Sequence, residues 1–282
     1  MRPQILRKCN ARRAGPFLVL LLSMGCWADS TPAQTLIPEE QPAPTVAGPT
    51  AKAAATIDLT GYWVSLVDSD WRWRMMTPAK GDYPSIPLNA EGKRIADSWD
   101  PAKDEREGRQ CSAYGAGNIM RIPERLHIYW VNDNTLRIDT DAGMQTRIFH
   151  FDGSKWRGGI PQWQGDSVAA WEKVGSAGAP VLEKGGSLHV VTMHMKPGYL
   201  RKNGVPYSGN AILTEYFDRF DRNGVSYLMV MSIMDDPAYL NVRFNTGEEF
   251  QREPDGSKWN PTPCRPLWPR MTEPARGDRL EK

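Results

Sequence analysis

The sequence predicts an all-β domain, an antiparallel and mostly up-and-down barrel or half-barrel with one short helix in a long excursion. Three observations predict it. Apolar and polar residues alternate with a period of two in about nine segments, as strands with one buried face require. Most connections between these segments are short, and Arg222-Asn-Gly224 carries the residues that tolerate the positive φ of a tight hairpin turn. Helical periodicity is nearly missing. Successive hairpins suit an up-and-down order, and closure removes exposed sheet edges.

In chain order, the first strand is expected over Ile57 to Val67. After Asp68-Ser-Asp70 the alternation resumes in Trp71-Arg-Trp-Arg-Met75 and predicts a further extended piece. A strand there puts Trp71, Trp73 and Met75 on one face, whereas a helix would set the two tryptophans about 200° apart. From Thr77 to Gly117 prolines and glycines interrupt the pattern. The helix expected inside it, Ala90 to Ser98, begins behind the N-cap residue Asn89 and stops before Pro101. Strands then return over Leu126–Val131 and Thr135–Asp139, joined by Asn132-Asp-Asn134, and over Gln145–Phe151. Asp166–Glu172, Ser187–Met195, Ala211–Asp221, Ser226–Met234 and Val242–Gln251 follow, with a turn at Lys202-Asn-Gly204.

Both ends read as lying outside this domain. Arg2, Arg7, Lys8, Arg12 and Arg13 precede the apolar run Phe17–Met24, and small residues follow. That is the pattern of a secretory signal peptide, residues 1–28 with cleavage as late as 33, and the run is too short to span a bilayer. Leu22-Ser-Met-Gly-Cys26 approaches a lipoprotein box and Arg12-Arg13 a twin-arginine signal. The expected location is therefore periplasmic or extracellular, free or lipid-anchored through Cys26. Residues 29–56, rich in Pro, Ala and Thr, read as a tether, because such a composition buries too little apolar area to offset chain entropy. Residues 57–271 form the single β domain, and 272–282 a charged tail.

The formal charge of +2, with acids and bases interspersed, gives no electrostatic basis for nucleic-acid binding. No second apolar segment is long enough to cross a membrane. Outside the leader only Cys111 and Cys264 remain, and in an oxidising compartment two cysteines most simply form one disulfide. A metal pair is the other reading, although neither has a Cys or His at ligand spacing.

Gly61-Tyr-Trp63 on the first strand is similar to the Gly-x-Trp that opens lipocalin barrels. A broader resemblance rests on Pro87-Leu-Asn-Ala-Glu-Gly-Lys93, Ile138-Asp-Thr-Asp-Ala-Gly143, Pro161-Gln-Trp-Gln-Gly-Asp-Ser-Val-Ala-Ala-Trp-Glu172, Leu213-Thr-Glu-Tyr-Phe217 and Asp235-Asp-Pro-Ala-Tyr239. In that order the blocks resemble a large family of exported bacterial proteins that share Pro-x-Trp-x-Gly-x-Ser-Val-x-x-Trp-Glu and a late acid-Asp-Pro block. The resemblance implies fold and location and assigns no activity. Gly178–Gly186 departs from it, being longer than the family's tight turn after Trp-Glu.

Hydrolase, metalloprotease, P-loop and Rossmann fingerprints are not present in the sequence, and nothing in it implies a cofactor or a metal. His127 and His150 sit beside aromatics in strands and read as structural. His189 and His194, five apart, face opposite sides of a strand; His194 lies where a strand gives way to a loop, a common place for a site residue. Glu215 shares a strand face with Leu213 and Phe217, and a charge there is costly unless paired. It either meets an arginine, Arg72 or Arg74, across an internal cavity or forms a rim ion pair. Asp236, before Pro237, faces the barrel mouth or serves a turn.

Trp163, Ser167 and Trp171 share one face at four-residue spacing. With Trp63, Trp71 and Trp73 they read either as core or as the aromatic lining of a pocket for a small apolar or aromatic molecule. The first functional reading is thus an exported, ligand-binding β-barrel. The alternative is a metal-independent isomerase, lyase or cyclase with Glu215 or Asp236 as base and His194 as partner. A scaffold would instead combine a packed interior with an exposed apolar patch.

Overall fold

The computed structural model describes residues 48–152, 159–173 and 185–265. The leader, most of the tether and the tail lie outside the described residues.

Nine strands close into a barrel: β1 (Gly61–Leu66), β2 (Arg125–Asn132), β3 (Thr135–Thr140), β4 (Thr146–His150), β5 (Asp166–Lys173), β6 (Gly186–Met193), β7 (Ile212–Arg222), β8 (Val225–Asp235) and β9 (Phe244–Glu253). Neighbours in the chain are neighbours in the barrel, and β9 returns to pair with β1. A ring with an odd number of strands cannot alternate direction all the way round. One parallel seam is unavoidable, and it falls between β4 and β5, where only Phe149↔Ser167 and His150↔Val168 pair. The β7–β8 hairpin turns at Asn223 (φ 52°) and Gly224 (φ 78°), the left-handed pair that the Asn-Gly dipeptide predicts.

Inward positions of the strands make the main core. Leu126, Ile128, Leu136, Ile138, Leu188, Val190, Leu228, Val230 and Phe250 are all buried in it. Phe149 on β4 and Phe217 on β7, with two strands between them, meet edge to face at 5.5 Å, so side chains fill the barrel at that level. A second cluster covers one end, where Leu213, Met234 and Phe244 lie side by side on β7, β8 and β9. Against them pack Tyr83, Ile86 and Ala96 from the excursion and Val205 and Tyr207 from the short hairpin Gly198–Arg201/Val205–Tyr207.

Between β1 and β2, in and around the excursion, lie four short α-helices: α1 (Trp71–Arg74), α2 (Ala90–Asp97), α3 (Pro101–Arg106) and α4 (Ala116–Ile119). In α2 the Asn89 side chain accepts from the Gly92 amide at 2.8 Å, the capping bond expected from sequence. In α1 the expected strand is overturned. Asp70 takes a left-handed conformation (φ 52°), and its carbonyl accepts from both Trp73 and Arg74 amides, closing one helical turn. Burial explains the change. Arg74, not a tryptophan, is the side chain that points inward, at 1% exposure, while Trp71 is 61% exposed. The Arg74 guanidinium meets Glu248 at 2.8 Å, the Arg121 carbonyl at 2.9 Å and the Ser65 hydroxyl at 3.0 Å. A buried guanidinium with partners is worth more than an alternating apolar face that finds no sheet to join.

Cys111 and Cys264 form a disulfide, with Cα atoms 5.1 Å apart. It ties the excursion to the segment after β9, where Thr262–Pro263 pairs in parallel with Ala142–Gly143.

Candidate functional site

The residues singled out from sequence lie in several separate places. Glu215 is fully buried inside the barrel. Its partner is Arg147 on β4, at 2.5 and 2.9 Å, and neither Arg72 nor Arg74 as expected. Arg72 instead pairs with Asp82 at 2.6 Å on the outside. Arg147 also reaches Thr192 at 3.4 Å, and Thr192 shares a hydrogen bond of 2.7 Å with Ser167. Asp236 accepts from the Ser208 amide and hydroxyl at 2.7 and 2.8 Å, which makes it the fastener of a turn. His194, at φ 57°, has its Nδ1 3.1 Å from Asp166. Glu215, His194 and Asp236 thus belong to three separate sets of partners.

The tryptophans are also dispersed. Trp63 is buried in the barrel, its indole N–H donating to the Leu59 carbonyl at 2.9 Å. Trp171 stacks on Phe151 at 5.6 Å and donates to the Ala51 carbonyl at 2.8 Å. Trp163 precedes β5, beyond a turn closed by the Gly165 amide and the Gln162 carbonyl, and carries Lys196 over its ring at 4.5 Å. That turn breaks the face it was expected to share with Ser167 and Trp171. Trp71 and Trp73 stand on α1, outside the barrel lining.

A second group of buried charges joins β9 to the segment between β1 and β2. Glu248 lies between Arg74 (2.8 Å) and Arg121 (3.2 Å), and Arg121 also holds Asp70 at 2.8 Å. Burial raises the Glu248 carboxyl to about 7 against the pull of the two arginines. Glu124 is buried with neither carboxylate oxygen in a hydrogen bond of full geometry. Burial first, and the Asp141 charge second, push its acid well above the ordinary range, while Thr140, Arg147 and Arg74 pull the other way.

A raised folded value means that Glu124 binds a proton the unfolded chain has released. Its stabilising contribution is complete below the unfolded value, near 4.3, and is lost as pH rises through the folded one. Glu124→Gln, which mimics the protonated acid, is therefore expected to melt higher than the parent at pH 8–9 and level with it near pH 4. Each kcal/mol of the gain reads as about 2–4 °C in a domain of this size. Melting curves that run parallel across this range would mean that Glu124 ionises as it does in water.

Outside the barrel, two stretches of the chain, 72–82 and 99–101, enclose a cleft of about 550 Å³. One wall is Met76–Lys80 with Asp82, the other is Trp99–Pro101, and Arg72 closes a side. Trp99 is fixed by its indole N–H, which donates to Asp104 at 3.1 Å, and Asp104 is held in turn by the Tyr199 hydroxyl at 2.7 Å and Arg109 at 2.6 Å. The turn Lys202-Asn-Gly204 supports both walls. Gly204 (φ +81°) lies so close to Trp99 that an added Cβ would sit 2.2 Å from the ring, so only glycine fits. Asn203 donates to the carbonyls of Ala79 and Asp82 at 2.8 and 3.0 Å, and Arg201 to those of Asp82 and Pro84 at 3.2 and 3.1 Å. Lys202 donates to the Arg74 carbonyl at 2.6 Å. Between Arg72 and Arg201 lies Trp73, whose ring centroid is 5.4 and 4.8 Å from the two guanidinium carbons.

Sequence reasoning marked Arg72, Trp73 and the 202–204 turn but not Trp99, Arg201 or the joining of these segments. It also passed over Arg147. The available signal was parity: Arg147 shares a strand face with Phe149 just as Glu215 does with Phe217. Among the described residues, no group of three or more His, Cys, Asp or Glu is placed to hold a metal ion, and no helix is long and apolar enough to cross a membrane. Comparison with protein-family models, curated proteins and solved structures finds no match to this chain.

Proposed function

We propose that this is an exported β-barrel protein that binds a small apolar or aromatic molecule, with the cleft between Met76–Lys80 and Trp99–Pro101 as its site. The observation that carries the reading is the cleft itself. Its volume of about 550 Å³ falls in the range of small-molecule sites, and it joins an apolar side (Met76, Pro78, Trp99) to a few polar groups. Side chains fill the barrel axis at the Phe149–Phe217 level, which supports a site outside the barrel rather than along its axis. Export is supported by the basic residues before Phe17–Met24 and by a cysteine pair in disulfide geometry.

The test is calorimetric titration of the disulfide-intact protein with 2-naphthamide, 2-naphthol and 2-naphthoate. At least one probe is expected to bind, and Trp99→Ala to weaken it by about tenfold or more, which is about 1.4 kcal/mol. Because Trp99 also packs against Gly204, Ala79→Trp provides a second variant that fills the cleft from an exposed position. Binding that survives both substitutions, or no binding by any probe, would end this reading.

A further inference from the structure

With the cleft as the ligand site, the geometry points to an organic anion as its occupant. It is a small molecule whose carboxylate or phosphate faces Arg72 and Lys80 while its apolar or aromatic part lies against Trp99 and Pro78. This rests on the reading above and adds the charge of the ligand to it.

The argument begins with Arg201, which is 2% exposed behind the cleft wall. Its two terminal nitrogens donate to neutral carbonyls, its Nε has no acceptor, and among the described residues no carboxylate oxygen lies within 4.0 Å of it. A buried cation held by carbonyl dipoles and the Trp73 ring, with no carboxylate in contact, leaves a positive field in the adjoining space. Burial, with the Arg121 charge second, lowers the Arg201 guanidinium to about 10, while Asp70 and Asp82 pull the other way.

Of the charges on the cleft walls, Arg72 and Asp82 offset each other and Asp100 is engaged on α3, which leaves Lys80 as the wall cation with no carboxylate within 4.0 Å among the described residues. Asp82 is bound by Arg72 at 2.6 Å; Asp100 caps α3 through the Ala102 amide at 2.9 Å and lies 3.8 Å from Arg106. Lys80 is exposed and can turn toward a solute, and Arg72, more than half exposed, can offer it the N–H groups that Asp82 does not use. The Trp73 indole N–H, buried beside Arg72 and Arg201 without an acceptor, adds a further donor dipole to the same wall. A guanidinium also suits the forked geometry of both carboxylate and phosphate.

A matched probe series tests the charge alone: 2-naphthoate and 2-naphthyl phosphate against neutral 2-naphthamide, titrated into the disulfide-intact protein at low salt. At least one anion is expected to bind about tenfold or more tighter than the amide, and the ratio to fall steeply by 0.5 M salt. In the doubly substituted Arg72→Gln, Lys80→Gln protein the ratio should drop to near one. Whichever anion binds tighter identifies a carboxylate or a phosphate ligand, and either supports the inference. An amide that binds as tightly as both anions overturns it while leaving the cleft as the site. A ratio unchanged by the double substitution overturns it too. If none of the three probes binds, the cleft reading falls and this inference with it.

Discussion

Glu215→Gln is expected to cost about 3–5 kcal/mol of stability, the loss typical of breaking a buried ion pair from one side. The substitution keeps the volume of the side chain and removes only its charge. Arg147 would remain fully buried, over the Phe149 ring at 5.0 Å and with Thr192 at 3.4 Å, but without its carboxylate. Urea denaturation should show the loss as a lower midpoint. Replacing both partners by Arg147→Met and Glu215→Leu should restore most of it, because two apolar side chains need no counter-charge. A Glu215→Gln protein as stable as the parent would mean that water reaches the pair and that the barrel is open at this level. The same experiment bears on catalysis: a carboxylate bound at two points by a guanidinium is a poor general base.

Cys264→Ser is the second large effect, expected at about 2–5 kcal/mol and measurable by denaturation with and without reductant. The bridge spans 153 residues, so its removal frees a long loop in the unfolded chain. In the folded state the segment after β9 has only light ties besides the bridge. They include two residue pairs with Ala142–Gly143, the Thr262 amide on the Asp141 carbonyl at 2.8 Å, the Arg265 amide on the Tyr114 hydroxyl at 3.3 Å and the Trp259 ring edge-on to Tyr62 at 6.1 Å. Limited proteolysis beyond Glu253 should therefore accelerate in the variant before the barrel itself unfolds. Equal midpoints with and without reductant would show that the bridge holds nothing the other contacts do not.

The sequence by itself determined the features that depend on neighbours along the chain. The strand segments, their inward faces, the Asn89 cap and the Asn223-Gly224 turn follow from side-chain alternation and from the φ that each residue tolerates. Pairing of Cys111 with Cys264 was the simpler of two readings for the cysteines beyond residue 28, and the structure forms that disulfide. Only the tertiary structure decided what depends on partners far away in sequence. Alternation in Trp71–Met75 reads as a strand, but Arg74 finds Ser65, Arg121 and Glu248 within reach only if Asp70 starts a helical turn. Glu215 was legible as a buried charge that needed a partner, yet only barrel closure brings Arg147 to it from 68 residues away. The cleft needs α1, the start of α3 and the 201–204 turn at once, three segments with no shared local pattern. Local geometry is encoded residue by residue; which distant charges meet is set by how the nine strands close, and an odd ring leaves the chain one parallel seam to place.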